Sequence, residues 1–261
     1  MIVAGAIAPH GTPAFAEGPT RRGLQELGRR FSAATPDAIV VVTPHNIHVE
    51  GHFAIVVSGR VAGSLAEWGQ PEKLERPVDC KLATDLVAAA RGCGLPVVSV
   101  SYGGNDPVEA VAPLDWGTLI PPAFLPELPV VVVSPARDRP LEEHVRLGEA
   151  IATASAAGRV ALVASADHAH THDRAGPYGL DPAAAVYDER VVQIVRDNRL
   201  GDSADLVELV DAAKADSLWQ LLVLHGALGN AYDSELLSYE APTYFGMLCA
   251  AYHPAGRDRL M

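Results

Sequence analysis

The sequence predicts an α/β fold: one domain, residues 1–261, with a mainly parallel central sheet and helices on both faces. Short runs rich in Val and Ile alternate with amphipathic stretches along the whole chain. The runs are apolar at consecutive positions, which is typical of strands that are buried on both faces. The 261 residues include 49% hydrophobic residues, enough for one large domain with its own core.

Six buried strands are predicted from the apolar runs. In chain order they are Ile2–Ala8, Ala38–Thr43, Phe53–Ser58, Val97–Ser101, Val130–Ser134 and Val160–Ser165. Apolar residues at helical spacing, together with capping residues, predict five helices. These are Thr20–Ala33, Lys81–Arg91, Leu141–Ala156, Asp181 to about Asn198, and Ser217–Gly229. Two long connections, Gly59–Pro77 and Tyr102–Pro126, are expected to be loops that form the walls of a site.

Charge and cysteine content exclude several classes of protein. The 20 Lys and Arg residues against 32 Asp and Glu residues give a formal net charge of −12, which argues against nucleic acids and anionic membranes as partners. The three cysteines are odd in number and form no CxxC pair, so neither a disulfide framework nor a Cys-rich zinc site is expected. The first apolar run ends at Pro9, too short for a signal peptide or a membrane span, and we expect a cytoplasmic protein.

The ten histidines are unevenly placed, and seven of them follow three predicted strands. They are His10 after the first strand, His45, His48 and His52 after the second, and His168, His170 and His172 after the sixth. In open α/β sheets the site lies beyond the carboxyl ends of the strands. Neutral imidazole is the commonest metal ligand and also transfers protons near neutral pH. The pattern therefore predicts a metal site, a general base, or both at this edge.

The residue types do not identify which metal the site would bind. Two histidines and one carboxylate with open positions form the ligand set of non-haem Fe(II) oxygenases. A zinc or manganese hydrolase could use the same histidines, although the HExxH spacing of helical zinc proteases is absent.

Four short segments carry a resemblance to a known family. They are Ala8–Pro13 (APHGTP), Val41–His45 (VVTPH), Leu114–Pro121 (LDWGTLIP) and Ser165–His170 (SADHAH). In this order they resemble the class III extradiol ring-cleavage dioxygenases, the superfamily of the protocatechuate 4,5-dioxygenase β-subunit, which also contains Memo-like proteins. The resemblance extends from Ile2 to about Tyr252. It implies Fe(II)-dependent cleavage of a small aromatic diol or aminophenol with O₂, in a homo-oligomer or with a small partner subunit.

The resemblance also implies roles for individual residues. His10 and His45 match the metal-binding histidines, and His170 matches the catalytic acid and base. The third ligand is a carboxylate shortly before a late helix, and Asp211 is assigned to it. The other candidates are Glu208, Asp216, which could equally be a helix N-cap, and Glu240.

Trp116 and His168 are assigned to substrate binding. Many relatives have Asp-His-Gly where this chain has Asp115-Trp116-Gly117, and Trp116 can stack and donate one N–H but cannot relay a proton. Trp116 could equally be a core aromatic. Arg174 is the basic residue expected to matter if the substrate is anionic.

A non-catalytic, Memo-like metal- or peptide-binding protein is the other open interpretation. That branch carries a Cys in the region of the third ligand. No Cys lies between Cys93 and Cys249 here, which weighs against this branch.

Overall fold

The computed structural model describes residues 1–103 and 105–256. The strands of this part are β1 (Ile2–Ala8), β2 (Ala38–Val42), β3 (Phe53–Val56), β4 (Arg60–Ser64), β5 (Lys73–Pro77), β6 (Val97–Val100), β7 (Val111–Pro113), β8 (Val130–Ser134), β9 (Val160–Ser165), β10 (Tyr232–Glu240) and β11 (Met247–Pro254). Its α-helices are α1 (Pro19–Ala34), α2 (Cys80–Gly92), α3 (Trp116–Ala123), α4 (Leu141–Ala154), α5 (Ala183–Arg196), α6 (Val210–Ala213) and α7 (Leu218–Leu228). A 3₁₀ segment, Leu200–Leu209, precedes α6.

The main sheet has eight strands in the order β10-β11-β1-β9-β2-β8-β3-β6. The pairs β1–β9, β9–β2, β2–β8 and β3–β6 are parallel, whereas β3–β8, β1–β11 and β10–β11 are antiparallel. The sheet is therefore mainly parallel, as the sequence predicts. Every residue of β1, β2, β8 and β9 is buried, which accounts for their unbroken apolar sequences.

Helices cover both faces of the sheet, and two glycines show how closely they pack. A Cβ on Gly23 of α1 would lie 2.8 Å from the Cβ of Cys249. On the other face, a Cβ on Gly5 of β1 would lie 3.0 Å from Leu228 of α7. Cys249 and Tyr252, the strand partner of Gly5, point to opposite faces of β11 because side chains alternate along a strand. The predicted architecture is confirmed.

The two connections that we expect to be loops contain regular structure. Gly59–Pro77 includes the antiparallel pair β4–β5, which forms a second sheet in the order β5-β4-β7. Tyr102–Pro126 includes β7 and α3. This helix contains two prolines, which disfavours a helix by sequence alone, but a capping box between Asp115 and Thr118 starts it. The loop predictions are wrong for these elements.

Candidate metal centre and active site

The predicted site residues gather because three strands are neighbours. β9 lies between β1 and β2 in the sheet, and all three run parallel. His10 comes two residues after β1, His45 three residues after β2, and the His-rich segment follows β9 directly. The carboxyl ends of these strands therefore bring the three histidine-bearing loops to one place.

One group in the described residues could hold a metal ion: His10, His45 and Asp216, whose ligand atoms all lie within 4.8 Å of one another. The Nε2 atoms of His10 and His45 are each 3.7 Å from Oδ2 of Asp216. Two bonds of about 2.1 Å to a shared ion span at most about 4.2 Å, so both distances suit ligands of one ion.

The hydrogen bonds of His10 orient its ring for such an ion. Ser165 Oγ donates to the carbonyl oxygen of Gly117 at 2.5 Å, which uses its only proton. His10 Nδ1 lies 3.0 Å from the same Oγ and must therefore donate to it. Nε2 is left to face Asp216. A hydrogen-bond acceptor for the N–H of the other ring nitrogen usually orients a metal-binding imidazole.

The surroundings of His10 attract positive charge. Burial would lower the pKa of His10, but Asp167 and Asp216 raise it to about 9. Asp167 Oδ1 accepts the backbone N–H of His10 at 3.0 Å, and its Oδ2 lies 3.6 Å from Nε2. Burial and the charge of His10 lower the pKa of His45 to about 4, so His45 is neutral, the form that binds metals. The two carboxylates and the neutral His45 therefore suit a metal cation that would replace the proton on His10.

Asp216 is buried immediately before α7. Burial would raise its pKa, but the interaction with His10 and the positive charges around it, including that of Arg137, lower it. Its Oδ1 atom is buried without a hydrogen-bond partner among the described residues, and a metal ion would satisfy it. Ser217, not Asp216, occupies the N-cap of α7. The interpretation of Asp216 as a helix cap is therefore wrong.

The other carboxylates considered for the third ligand lie elsewhere. Asp211 is exposed on α6 at the rim of the adjoining cavity, outside the ligand group, and the structure does not support its assignment. Glu208 is exposed on the preceding 3₁₀ segment. Glu240 accepts hydrogen bonds from the backbone N–H and the hydroxyl of Thr20 at 2.9 and 2.6 Å, and thereby caps the start of α1.

His170 faces the same group from the loop after β9. Its Nδ1 lies 2.9 Å from the carbonyl oxygen of His168, which can only accept, so Nδ1 carries the proton. Its Nε2 lies 4.0 Å from Asp216 Oδ2, and this is the nitrogen that carries the lone pair in the neutral form of the ring. The ring packs against Phe245, with centroids 5.6 Å apart. His170 can therefore accept a proton from a group bound beside the candidate ligands.

His168 points away from the cavity. It is completely buried, and its Nδ1 lies 2.9 Å from Ser217 Oγ, which in turn contacts the hydroxyl of Tyr187 at 2.9 Å. It lines neither of the cavities beside the metal group, so the structure does not support its assignment to substrate binding. Ser217 directly follows Asp216, and His168 therefore supports the segment that carries this carboxylate.

A buried carboxylate on α5 anchors the loop that carries His170. Asp188 Oδ1 accepts the N–H of Ala169 at 2.9 Å. Its Oδ2 lies 2.7 Å from His172 Nε2 and 2.8 Å from the hydroxyl of Tyr239. A Cβ on Gly246 would lie 1.9 Å from this Oδ2, so only glycine fits there. These contacts fix the loop on both sides of His170.

Replacing Asp188 by Asn is expected to destabilise the protein by about 2 kcal/mol, because the amide leaves buried donors without an acceptor. The matched control is Glu189→Gln, one residue away and exposed on the same helix, with an expected change below about 0.5 kcal/mol. Urea unfolding followed by circular dichroism measures both. Equal stability of the two variants would contradict this role of Asp188.

An aromatic cavity of about 260 Å³ opens beside His10, His45 and His170. We call it the aromatic lobe. Its aromatic lining residues are Trp68, Trp116, Tyr178, Tyr244 and Phe245. The ring of Trp116 lies 4.7 Å from that of His45 and 5.3 Å from that of Trp68. Trp116 thus lines the site, where it can stack on a flat ring. The next residue, Gly117, leaves room for His45, because a Cβ at position 117 would lie only 2.7 Å from the His45 ring.

A second cavity of about 430 Å³, here called the polar lobe, shares His45 and His170 with the aromatic lobe. It also contains Asp216, with Arg137, Lys214 and Trp219 around it. Arg174 lines neither lobe, so the expected basic residue is not at the site. The sequence analysis missed Arg137 and Lys214. Arg137 could have been predicted as a site residue, because it follows the carboxyl end of the Val-rich run that forms β8 by three residues.

Comparison with known proteins identifies the family of this chain. Residues 6–248 match the family model LigB, described as the catalytic LigB subunit of aromatic ring-opening dioxygenase. The chain belongs to the LigB family. The match covers all four segments that carry the resemblance found in the sequence.

Two known proteins are similar to most of this chain. The Clostridium acetobutylicum protein CA_C1420 is 22% identical over 230 residues, which are 85% of this chain and 49% of the relative. The chain thus spans about half the length of this curated relative. The crystal structure of the Escherichia coli K12 protein JW3007 has a TM-score of 0.66 at 20% identity and covers 95% of this chain and 99% of its own, which shows a shared fold.

Members of the LigB family typically use a metal, and the His-His-Asp group described here could bind one. In the described residues, no helix has both the length and the apolar character needed to cross a membrane.

Proposed function

We propose that this LigB-family chain is a non-haem Fe(II)-dependent extradiol dioxygenase that cleaves a catecholic or aminophenolic ring with O₂. The observation that carries the proposal is the convergence of His10, His45 and Asp216 on one point, with Nε2 of His170 beside them. Two histidines and one carboxylate leave open positions for small ligands and are typical of Fe(II) oxygenases.

The described residues fit the metal. Nδ1 of His10 is hydrogen-bonded to Ser165, which leaves Nε2 for the metal. Burial keeps His45 neutral, and Oδ1 of Asp216 is buried without a hydrogen-bond partner among the described residues. When bound, Fe(II) would hold the diol oxygens and O₂ together and act as a Lewis acid.

The protein's own part in the reaction is to position the ring and to move protons. The aromatic lobe offers ring faces and edges to a flat substrate, and the ring of Trp116 lies 4.7 Å from that of the proposed ligand His45. His170 Nε2 would accept the proton of a phenolic hydroxyl and later return it to the product. Its own Nδ1 stays bonded to the carbonyl oxygen of His168 throughout, so the ring does not need to turn.

The test is anaerobic reconstitution with Fe(II), followed by a panel of catechols and 2-aminophenols in air-saturated buffer. We expect oxygen consumption and a yellow ring-opened product with at least one member of the panel. Zn(II)- and Mn(II)-loaded protein are the matched controls. Iron-loaded protein that consumes no oxygen with any member would contradict the proposal and would favour a hydrolase or a Memo-like binding protein.

A further inference from the structure

The serine that begins the last long helix does not use its hydroxyl as a helix cap. Ser217 is the N-cap of α7, where a serine side chain normally accepts an N–H of the first helical turn. Here it makes no such bond, and its Oγ lies 2.9 Å from Nδ1 of His168 and 2.9 Å from the hydroxyl of Tyr187. A hydroxyl can donate once and still accept, so Ser217 can serve both partners together. Two side-chain contacts therefore replace the cap.

The two partners of Ser217 come from elements that are distant in the chain. His168 lies in the loop after β9, and Tyr187 lies on α5. All three residues are completely buried, and we call them the Ser217 network. Burial raises the pKa of Tyr187 and lowers that of His168, so both side chains are neutral. A buried network of neutral hydrogen-bonding groups is rigid, because any displacement leaves a polar atom without its partner.

The Ser217 network adjoins the proposed metal centre through the backbone, since Ser217 directly follows Asp216. Oδ2 of Asp216 lies 3.7 Å from Nε2 of His10 and 3.7 Å from Nε2 of His45. Oδ1 of the same carboxylate has no hydrogen-bond partner among the described residues, so no donor holds it from that side. The position of the carboxylate therefore depends on the backbone of residues 216 and 217, which the network fixes.

The neighbouring residue on α5 acts on the other half of the site. Asp188 accepts the N–H of Ala169 and contacts His172, on either side of His170. In the described part of the chain, α5 itself lines neither the aromatic lobe nor the polar lobe. Two consecutive buried residues of α5 thus hold the segments that carry the proposed ligand and the proposed base from behind.

We infer that Tyr187 is a positioning residue of the proposed metal centre. Through Ser217, its hydroxyl holds Asp216 where one ion can bind this carboxylate and both imidazoles. The inference rests on the metal centre of the proposed function, and not on the reaction that follows. Residues that hold metal ligands in place typically contribute about 10- to 100-fold to metal affinity, because an oriented ligand loses less freedom when the ion binds.

Metal binding without turnover tests the inference. The full chain is titrated with Co(II), which accepts the same nitrogen and oxygen ligands as Fe(II) and whose visible absorption reports the ligand geometry. Tyr187→Phe removes only the hydroxyl. We expect it to weaken Co(II) binding about tenfold and to change the absorption of the bound ion. Asp216→Asn should abolish this absorption, which identifies the ion as the one at the proposed centre.

Tyr232→Phe is the matched control and separates positioning from stability. The Tyr232 hydroxyl donates to the carbonyl oxygen of Ile2 at 2.7 Å, at the end of β1 opposite to His10. Its loss should lower the melting temperature, as loss of the Tyr187 hydroxyl should, but leave the Co(II) affinity and absorption unchanged. A Tyr187→Phe variant with lowered stability and unaltered Co(II) binding would behave like this control and would overturn the inference.

Variants of Ser217 show whether Tyr187 acts through it. Ser217→Ala should weaken Co(II) binding about as much as Tyr187→Phe, and Ser217→Thr, which keeps a hydroxyl, should restore most of the affinity. Adding Tyr187→Phe to Ser217→Ala should have little further effect, because both changes break the same contact. Fully additive losses would overturn the inference. If Tyr187→Phe does not fold, wild-type Co(II) affinity in Ser217→Ala would overturn it alone.

Oxygen consumption by the iron-loaded protein distinguishes this inference from the proposed function. Tyr187-dependent Co(II) binding without oxygen consumption on any catechol or 2-aminophenol supports the positioning role and contradicts the dioxygenase. Cleavage of a catechol, with Co(II) bound equally well by the wild type and by Tyr187→Phe, supports the dioxygenase and overturns the positioning role. Wild-type protein that binds neither Fe(II) nor Co(II) contradicts both.

Discussion

Replacing Asp216 by Asn is expected to lower the affinity for Fe(II) by at least about 100-fold. The variant removes the anionic oxygen that faces both imidazoles at 3.7 Å. Mutation of a residue that only supports a metal ligand already lowers metal affinity by about 10- to 100-fold, so removal of a ligand itself should lower the affinity more. The measurement is anaerobic titration with Fe(II), followed by metal analysis of desalted protein.

Asp211→Asn is the matched control for this prediction. It is the same substitution five residues earlier, on an exposed side chain outside the ligand group. We expect its Fe(II) affinity to be unchanged. Iron retention by the Asp216 variant together with loss in the Asp211 variant would restore the assignment made from the sequence and refute the one proposed from the structure.

Replacing His170 by Gln is expected to leave Fe(II) binding intact and to reduce kcat by about 10²- to 10⁴-fold, the usual contribution of a general acid and base. His170 lies outside the group of His10, His45 and Asp216, and its free nitrogen is the atom that would take the substrate proton. Metal analysis and oxygen-electrode assays of the same preparation separate the two effects.

His52→Gln is the control for His170. His52 belongs to the same set of histidines after the predicted strands, but it is exposed, and its Nδ1 contacts the carbonyl oxygen of Glu50. This variant should keep both iron and turnover. A His170 variant that loses iron while His10→Ala keeps it would reverse the proposed roles of the two residues.

Several parts of this site could be predicted from the sequence because they depend on local order along the chain. Unbroken apolar runs identify β1, β2 and β9, since strands buried on both faces tolerate no polar positions. The histidines follow those runs directly. Their position after strands therefore selected seven candidate histidines, and the family resemblance singled out His10, His45 and His170 among them.

The carboxylate could not be selected in this way. Asp211 and Asp216 lie five residues apart in similar sequence surroundings, and the choice depends on where α6 ends and α7 begins. The structure places α7 against β9 and β1, which buries Asp216 beside His10 and leaves Asp211 exposed. A short helix that ends in a left-handed residue is too brief to give a clear periodic signal.

The sequence by itself determined the α/β class, the six strands formed by the apolar runs and the histidines that follow three of them, because side-chain burial imposes its pattern on consecutive residues. Only the tertiary structure decided which loops meet. β9 inserts between β1 and β2, although it is far from both in the chain, and this order brings His170 beside His10 and His45. The same packing of distant segments brings Arg137 and Lys214 into one cavity with Asp216. Contacts between segments far apart in the chain leave no periodic trace in the sequence of either segment.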